Sequence, residues 1–248
     1  MKLALIGDPV AHSRSPQLHR GFLHEAEIDG SYVAIEVPAG NAINVLRRMR
    51  LDGYTGANVT TPLKEEALAA CDVLSDEARR AKAVNTIYFD MQIRGTNTDG
   101  IGWRVALEAI LEDSIALRRI GVLGTGATAR AILAQCQEYD AHAYLWGRNA
   151  DRVAECIVDF DAQPWPESVP EIVVSTLPPG AILPHDLAIE LAQPEVVMDV
   201  NYGPRATLAR RLERDIVTGE AMLEAQARAS FDFWLAHLDR VSSDDRRV

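Results

Sequence analysis

Cysteine is scarce in this chain: the sequence has only three, Cys71, Cys136 and Cys156. They stand far apart and lack the close spacing that zinc ligands show. Such a small and scattered set excludes a disulfide-framework fold. The nearby histidines do not supply a metal site either, because His19 and His24 are not spaced to share one helix face. We therefore expect reduced thiols, a cytoplasmic protein and no bound metal.

Long apolar runs and an excess of positive charge are missing as well. No run reaches the length of a membrane span, and Asp8 and Pro9 interrupt the apolar start too early for a signal peptide. The formal net charge of -11 argues against nucleic acid and anionic membranes as partners. A small anionic ligand stays possible, because a few local cations outweigh a distant net charge. We expect a small-molecule substrate, no nucleic acid, no membrane, and a monomer or homodimer.

Short apolar runs alternate with helical patterns along nearly the whole chain, and the alternation restarts near residue 100. This order is typical of α/β domains with mainly parallel sheets. We predict two domains, an N-terminal mainly parallel α/β substrate domain and a Rossmann-type dinucleotide-binding domain. Strands are predicted at 2–7, 31–37, 56–60, 118–124, 141–146, 171–176, 195–200 and 216–219, with a hairpin at 83–89 and 92–96. Helices are predicted at 15–28, 41–49, 62–70, 99–111, 127–139, 151–160 and 220–238, and 161–170 is a predicted loop.

A glycine loop follows the predicted strand 118–124 and precedes a predicted helix. Its sequence from Gly124 to Ala129, GTGATA, fits the pattern G-x-G-x-x-G/A. Gly124 permits the tight turn, Gly126 lets the backbone approach a pyrophosphate, and Ala129 allows close packing of helix on strand. The helix N-terminal amides then face the phosphates. The alternative is a glycine turn in an α/β domain that binds no nucleotide.

The end of the next predicted strand indicates which dinucleotide binds. An NAD site usually has an acidic residue there to bind the ribose 2′-hydroxyl. This chain has Arg148 instead, in the sequence WGRN. A guanidinium pairs with a 2′-phosphate and stacks on adenine, so the residues favour NADP over NAD. The alternative is a solvated surface arginine.

A group of polar residues in the first half of the chain falls at or just beyond the C-terminal ends of predicted strands. In open α/β sheets that edge holds the ligand, and hydroxyls and amides suit a small polyhydroxylated one. Lys64 and Asp99 are the only opposite charges in the group, and together they would transfer a proton. A solvated lysine is the alternative for Lys64, and a helix cap before Pro16 is the alternative for Ser15. The group is Ser13, Ser15, Asn58, Thr60, Lys64, Asn85, Thr86, Asn97, Thr98 and Asp99.

A series of short blocks, in order along nearly the whole chain, resembles the shikimate dehydrogenase family. That family reduces 3-dehydroshikimate with NADPH in aromatic amino-acid biosynthesis. The first four blocks are highly specific as a set, whereas the glycine loop is not. The blocks are GDPVAHSRSPQLH (7–19), GANVTTPLKEEA (56–67), AVNT (83–86), NTDGIGW (97–103), GTGATARA (124–131), GRNADR (147–152), VSTLPPG (174–180), DVNYGP (199–204) and TGEAMLEAQARASFDFW (218–234).

The resemblance implies a role for each matching residue. Ser13 and Ser15 would hold the substrate carboxylate, and Lys64 and Asp99 would be the catalytic pair. It also implies a discontinuous substrate domain, 1–99 plus 220–248, around an NADP-binding domain, 100–219. Further substrate contacts would come from Thr60, Asn85, Tyr202 and Gln226. Cofactor contacts would come from Gly124, Thr125, Gly126, Ala127, Thr128, Arg148, Thr176 and Gly219.

The departures from the family pattern lie on or beside the cofactor half. The usual Gly-Ala-Gly-Gly-Ala is Gly-Thr-Gly-Ala-Thr here, so Ala127 adds a Cβ near the phosphates. Arg148 is retained, but the asparagine and threonine that flank it in the family are replaced. Two further motifs, at 174–176 and 221–224, also differ. Three alternatives therefore stay open: an NAD-linked quinate/shikimate dehydrogenase, a non-catalytic shikimate-binding paralogue, and a related reductase such as a folate-linked dehydrogenase.

Overall fold

The structure, a computed structural model, describes residues 1–208, 211–212 and 215–244, with side chains placed as far as residue 238. The end of the predicted substrate domain, 245–248, lies outside the described residues. The chain divides into two compact units. The first unit comprises Met1–Thr98 and the chain from Gln226 onward, and the second comprises Asp99–Ala225. Each unit contains one sheet, which confirms the predicted two-domain α/β fold.

The first unit is a six-stranded, mainly parallel sheet with the order β2-β1-β3-β5-β6-β4. Only the pairs β3–β5 and β5–β6 are antiparallel. The second of these is the hairpin predicted around Asp90 and Met91. The elements are β1 (Lys2–Gly7), α1 (Ser15–Glu25), β2 (Ser31–Glu36), α2 (Ala42–Leu51), β3 (Gly56–Val59), β4 (Val73–Leu74), α3 (Asp76–Ala81), β5 (Thr86–Phe89) and β6 (Ile93–Thr96).

Two local predictions in this unit are wrong. The segment predicted as a helix at 62–70 is a turn followed by a short 3₁₀ helix, Glu66–Ala70. One cause is that the carbonyl of Lys64 accepts a hydrogen bond from the Val84 amide at 2.8 Å. This carbonyl is therefore directed away from the segment 62–70 and does not take part in a helical hydrogen bond within it. Ser15 is not the cap of α1 but its first residue, and its amide donates to Ser13 Oγ at 3.2 Å. Ser13 thus satisfies an amide that the helix leaves unpaired.

The core of the first unit lies on both faces of this sheet. One face packs against α2 through residues such as Leu46 and Met49. The other packs against α1 and against the C-terminal helix, which contributes Phe231 and Trp234. Trp234 is fully buried, and its indole nitrogen donates to the carbonyl of Ile87 at 2.8 Å. The C-terminal helix therefore contributes to the first unit's core through these residues.

The second unit is a six-stranded sheet with the order β12-β11-β10-β7-β8-β9, in which every described pair is parallel. Its core consists of buried residues of α4 and α5 packed on the central strands. Two elements of this unit were not predicted, the two-residue strand β9 inside the predicted loop and the helix α7, and in the first unit the same holds for β4 and α3. The elements are α4 (Asp99–Leu111), β7 (Arg119–Leu123), α5 (Ala127–Glu138), β8 (His142–Trp146), α6 (Ala150–Phe160), β9 (Gln163–Pro164), β10 (Ile172–Ser175), α7 (His185–Glu190), β11 (Val196–Asp199), β12 (Val217–Thr218) and α8 (Glu220–Asp244). Within the described part of the chain, no helix has the length and apolar character needed to cross a membrane.

Candidate active site

Ser13 lies in the connection between β1 and α1, Ser15 is the first residue of α1, and the two contact each other. Their hydroxyl oxygens are 3.2 Å apart, with Ser13 donating. The Ser15 side chain is buried, whereas Ser13 is half-buried. The two hydroxyls therefore lie side by side where the connection from β1 enters α1. Two adjacent hydroxyls have the chemistry needed to bind a carboxylate.

Amide and hydroxyl side chains from three strand ends and α8 form a buried hydrogen-bond network in the first unit. At its centre, Asn58 Nδ2 donates to the carbonyl of Asn85 at 3.2 Å, to Thr86 Oγ1 at 3.1 Å and to Ser230 Oγ at 3.1 Å. Thr86 and Ser230 are in turn 2.7 Å apart. We call this set, with Thr98 and Gln226, the amide–hydroxyl network. Groups brought together in this way are held rigidly, because buried polar groups must be paired.

The predicted contact residues Asn85 and Gln226 belong to this network. Asn85 Nδ2 donates to Thr98 Oγ1 at 3.0 Å, and its Oδ1 accepts from the Thr98 amide at 2.9 Å. Thr98 Oγ1 also reaches Gln226 Oε1 at 3.5 Å, and Ser230 Oγ donates to the Gln226 carbonyl at 2.9 Å. The structure therefore unites residues from β5, the end of β6 and α8. Their sequence positions are far apart, so only the fold brings them together.

Three buried residues of this region were missed by the sequence analysis: His19, Tyr32 and Ser230. Tyr32 donates from its hydroxyl to Asn58 Oδ1 at 2.8 Å. Burial raises the pKa of Tyr32 well above its ordinary value, an effect that the Ser15 hydroxyl opposes. The His19 ring stacks on the Tyr32 ring with centroids 4.6 Å apart. The spacing of Ser230, one helical turn after Gln226, is the signal in the sequence that indicates a shared face.

Thr60 and Lys64 follow β3, as the sequence analysis expects. The amide of Thr60 donates to the carbonyl of Ile6 at 2.9 Å, which extends the β1–β3 pairing by one residue. Lys64 is half-buried, and its backbone carbonyl is fixed by the Val84 amide at 2.8 Å. Both side chains thus start from backbone that is held in place by the sheet. The predicted partner of Lys64, Asp99, lies in the second unit, so their contact stays a prediction.

Asp99 is the first residue of α4 and is almost fully buried. Its Oδ2 accepts a hydrogen bond from Thr128 Oγ1 at 3.2 Å. Thr128 belongs to the glycine loop motif and lies in the first turn of α5. The carboxylate therefore connects the start of α4 with the predicted phosphate-binding loop. A negative charge at a helix N-terminus is also stabilised by the helix dipole.

The glycine loop between β7 and α5 has the geometry that its motif requires. Gly124 has a φ of +116°, and a Cβ there would lie 2.4 Å from Thr176 Oγ1, so only glycine fits. Thr176 Oγ1 itself donates to the carbonyl of Leu123 at 2.9 Å. A Cβ at Gly126, the residue before α5, would meet no atom within 4 Å. The space in front of this helix N-terminus is therefore open, which suits a phosphate group.

A buried arginine that was not predicted from the sequence, Arg130, holds the glycine loop in place. Arg130 lies on α5, and its guanidinium donates to the carbonyl of Thr125 at 3.2 Å. Arg148 follows β8 and is exposed. The next residue, Asn149, caps α6 by accepting from the Arg152 amide at 3.0 Å. An open helix N-terminus followed by an exposed guanidinium after the next strand fits a dinucleotide that carries a 2′-phosphate.

Tyr202 and Gly219 lie in loops that polar side chains hold in place. The buried carboxylate of Asp199 accepts from the amide and side chain of Asn201 at 3.0 and 2.7 Å and from the Leu208 amide at 3.3 Å. Burial raises the pKa of Asp199, whereas these hydrogen bonds lower it. A Cβ at Gly219 would lie 2.1 Å from the carbonyl oxygen of Val200, so this close approach also requires glycine. The roles of Asp199 and Asn201 in holding these loops were not predicted from the sequence.

Metal-binding chemistry has no candidate cluster in the described ranges 1–208, 211–212 and 215–244. No three His, Cys, Asp or Glu side chains converge there in a way that would hold an ion. Of the three cysteines, Cys136 and Cys156 are buried and Cys71 is half-buried. Burial raises the pKa of the Cys71 and Cys136 thiols to about 12, so both are poor nucleophiles near neutral pH.

Comparison with known proteins identifies relatives over nearly the full length. The family description "Shikimate dehydrogenase substrate binding domain" matches residues 5–87. The shikimate dehydrogenase (NADP(+)) of Acidiphilium cryptum is 37% identical over 245 residues, which is 93% of this chain and 88% of that protein. The protein of the same description from Paracoccus denitrificans is 34% identical over 264 residues, covering 98% of this chain and 94% of the relative.

Solved structures agree with the sequence relatives. The shikimate 5-dehydrogenase of Thermus thermophilus, solved in complex with NADP(H) and shikimate, superimposes with a TM-score of 0.82 at 30% identity. The match covers 94% of this chain and 93% of the Thermus chain. A ligand-free 5-ketofructose reductase of Gluconobacter also superimposes, with a TM-score of 0.77, but at 23% identity this shows a shared fold only. Similarity at this level over nearly all of the chain shows that the protein belongs to the shikimate dehydrogenase family.

Proposed function

We infer that this protein catalyses the reversible, NADP-dependent reduction of 3-dehydroshikimate to shikimate, a step of aromatic amino-acid biosynthesis. The observation that carries this inference is the similarity to a shikimate dehydrogenase (NADP(+)), 37% identity over 93% of the chain. Retention of both Lys64 and Asp99 argues for an active enzyme rather than a binding paralogue. The scarce, buried cysteines suit a cytoplasmic location, and we propose a monomer or homodimer.

The first unit is the proposed substrate-binding domain. Ser13 and Ser15 bind the carboxylate, and their contact at 3.2 Å supports this role because one carboxylate bridges two adjacent hydroxyls. Thr60, Asn85 and Gln226 bind the ring hydroxyls. Asn85 and Gln226 are suited to this task because the amide–hydroxyl network restricts their orientation. Tyr202, from the second unit, completes the proposed substrate contacts.

The second unit is the proposed NADP-binding domain. The backbone from Gly124 to Thr128 binds the pyrophosphate, because the open N-terminus of α5 offers unpaired amides. Arg148 binds the 2′-phosphate, and its exposure at the end of β8 leaves the guanidinium accessible. In this proposal Thr176 also binds the cofactor, and Gly219 lies near the nicotinamide. The cofactor supplies, when bound, the hydride that reduces the ketone carbon of the substrate.

Lys64 and Asp99 move the proton in this proposal. In the reducing direction, Lys64 Nζ gives its proton to the ketone oxygen, which becomes the new hydroxyl. Asp99 orients the Lys64 side chain in this proposal. The hydrogen bond from Thr128 Oγ1 holds the Asp99 carboxylate in one orientation. In the oxidising direction, the neutral lysine takes the same proton from the hydroxyl.

The test is a steady-state assay of reduced-nicotinamide absorbance with shikimate or quinate and with NADP⁺ or NAD⁺. Turnover of shikimate with NADP⁺ far above the other three pairs is the expected result. Strong turnover of quinate with NAD⁺ would assign the protein to the catabolic class and remove the role of Arg148. No turnover with any pair, together with a shikimate-induced rise in melting temperature, would indicate a binding paralogue.

A further inference from the structure

The hydroxyl of Tyr32 donates to Asn58 Oδ1 at 2.8 Å, at the centre of the amide–hydroxyl network. Tyr32 and Asn58 are 2% and 5% exposed, so bulk water does not replace this hydrogen bond. One buried hydroxyl therefore supplies a donor to the residue on which the network is centred.

The hydrogen bond from Tyr32 also decides which way the Asn58 amide points. Because Oδ1 accepts from Tyr32, Nδ2 must face Thr86 and Ser230, to which it donates at 3.1 Å each. A hydroxyl that accepts from an amide directs its own proton elsewhere. Thr86 Oγ1 has two acceptors in reach, Asn85 Oδ1 at 2.9 Å and Ser230 Oγ at 2.7 Å, and its donation to Asn85 is the one that orients the Asn85 amide.

The fixed direction continues to the residues that would contact the substrate. With Oδ1 accepting from the Thr86 hydroxyl and from the Thr98 amide at 2.9 Å, the Asn85 amide has a single orientation. Its Nδ2 then donates to Thr98 Oγ1 at 3.0 Å. If the Asn58 amide turned over, its oxygen would take the proton of Thr86, and Asn85 would lose one of the donors that orient it.

The surroundings of Tyr32 keep its ring and its proton in place. The ring is stacked on His19 at an interplanar angle of 6°, and Trp234 lies 6.5 Å away. Burial raises the pKa of Tyr32 well above its ordinary value, so the hydroxyl stays a donor at every pH at which the enzyme would work. A hydroxyl that stays protonated is suited to fixing the direction of the hydrogen bonds in the amide–hydroxyl network.

We propose that Tyr32 is a positioning residue, whose hydroxyl orients the Asn58 amide and through it the substrate contact Asn85; this proposal rests on the function inferred above. Tyr32 does not touch the substrate in this proposal and takes no part in proton transfer. Its loss therefore weakens shikimate binding and leaves NADP⁺ binding intact.

The test compares Tyr32→Phe with the matched control Tyr88→Phe, since Tyr88 is buried in the same hydrophobic cluster but its hydroxyl is outside the network. In the folded variant we expect the KM for shikimate to rise about tenfold, because a buried acceptor loses its donor. The KM for NADP⁺ and the shikimate kinetics of Tyr88→Phe should stay within about twofold of wild type. An unchanged KM for shikimate in Tyr32→Phe, or an equal rise in Tyr88→Phe, would overturn the proposal.

A second variant covers the case in which Tyr32→Phe does not fold. Ser230→Ala removes one acceptor of Asn58 but keeps the Tyr32 hydroxyl, so the amide should retain its orientation and the KM for shikimate should rise less than about threefold. A tenfold rise would show that the orientation is set from the Ser230 side, against the proposal.

A readout that needs no substrate separates this proposal from the proposed function. If wild type turns over no shikimate, the proposed function fails, and amide hydrogen exchange at Thr98 decides the role of Tyr32. This amide donates to Asn85 Oδ1, so its exchange should be about tenfold faster in Tyr32→Phe than in wild type or Tyr88→Phe. Equal exchange in the three proteins would refute the positioning role whether or not the enzyme is active.

Discussion

Mild acid should destabilise the protein through one buried imidazole, that of His19. The ring is fully buried between Tyr32, Phe22 and Trp234, with centroid distances of 4.6, 5.6 and 5.1 Å. Neither ring nitrogen makes a hydrogen bond of normal geometry with any described residue. Burial and the positive charge of Arg228 lower the pKa of His19 from 6.5 to about 3, and nearby Asn58 opposes only part of the shift. The folded protein therefore keeps this histidine neutral.

The sign and the size of the effect follow from linkage. The folded pKa lies below the unfolded value, so the unfolded chain binds the proton first as the pH falls. Stability from the neutral ring is fully present above the unfolded pKa and is lost progressively down to the folded one. Each pH unit in that window costs about 1.4 kcal/mol. Between about pH 7.5 and about pH 4.5, the free energy of unfolding should fall by about 2.7 kcal/mol on account of His19 alone.

The assay is urea denaturation followed by circular dichroism at these two pH values, for wild type and His19→Phe. Phenylalanine keeps an aromatic ring on Tyr32 and has no proton to bind, so its loss of stability should be smaller than that of wild type by about 2.7 kcal/mol. Other groups near the site, including the Arg228–Glu25 ion pair at 2.7 Å, are the same in both proteins. His24→Gln, at an exposed position of the same helix, is the control and should behave as wild type. Equal losses in wild type and His19→Phe would refute the reasoning.

Three further predictions concern the proposed catalytic and cofactor residues. Lys64→Ala should lower kcat by about 10²–10⁴-fold and change KM less, and wild-type kcat in this variant would exclude the proton-transfer role. Arg148→Ala should raise the KM for NADP⁺ about tenfold or more while that for NAD⁺ stays nearly constant, because only NADP⁺ carries the 2′-phosphate; parallel changes would contradict it. Gly219→Ala should lower the melting temperature, because its Cβ would lie 2.1 Å from the Val200 carbonyl, and calorimetry that finds no shift would show that the loop adapts.

Elements with a long apolar pattern were predicted from the sequence, and elements fixed by distant contacts were not. Strands such as β1 and β7 are buried along their length, so their composition alone indicates them. The segment 62–70 has helical spacing, yet the carbonyl of Lys64 accepts a hydrogen bond from the Val84 amide. A contact between residues 20 positions apart cannot be predicted from the local pattern. The two-residue strands β4 and β9 are too short to show any periodicity.

The same distinction holds for the candidate site. Ser13, Ser15 and the glycine loop stand in compact motifs, and the structure places them after β1 and β7, where the alternation of elements predicts ligands. Tyr32 and Ser230 occupy positions that a strand or helix pattern assigns to the core. Their burial was therefore predictable, but the partners of their hydroxyls were not, because those partners come from β3, β5 and α8.

The amide–hydroxyl network and the glycine loop also differ in how much a substitution should disturb them. In the first unit, Asn58, Thr86 and Ser230 share hydrogen bonds with one another, so replacing any one leaves another buried group unpaired. In the second unit, a Cβ at Gly126 would meet no atom within 4 Å, whereas a Cβ at Gly124 would lie 2.4 Å from Thr176 Oγ1. A substitution at Gly126 should therefore be tolerated better than one at Gly124 or within the network.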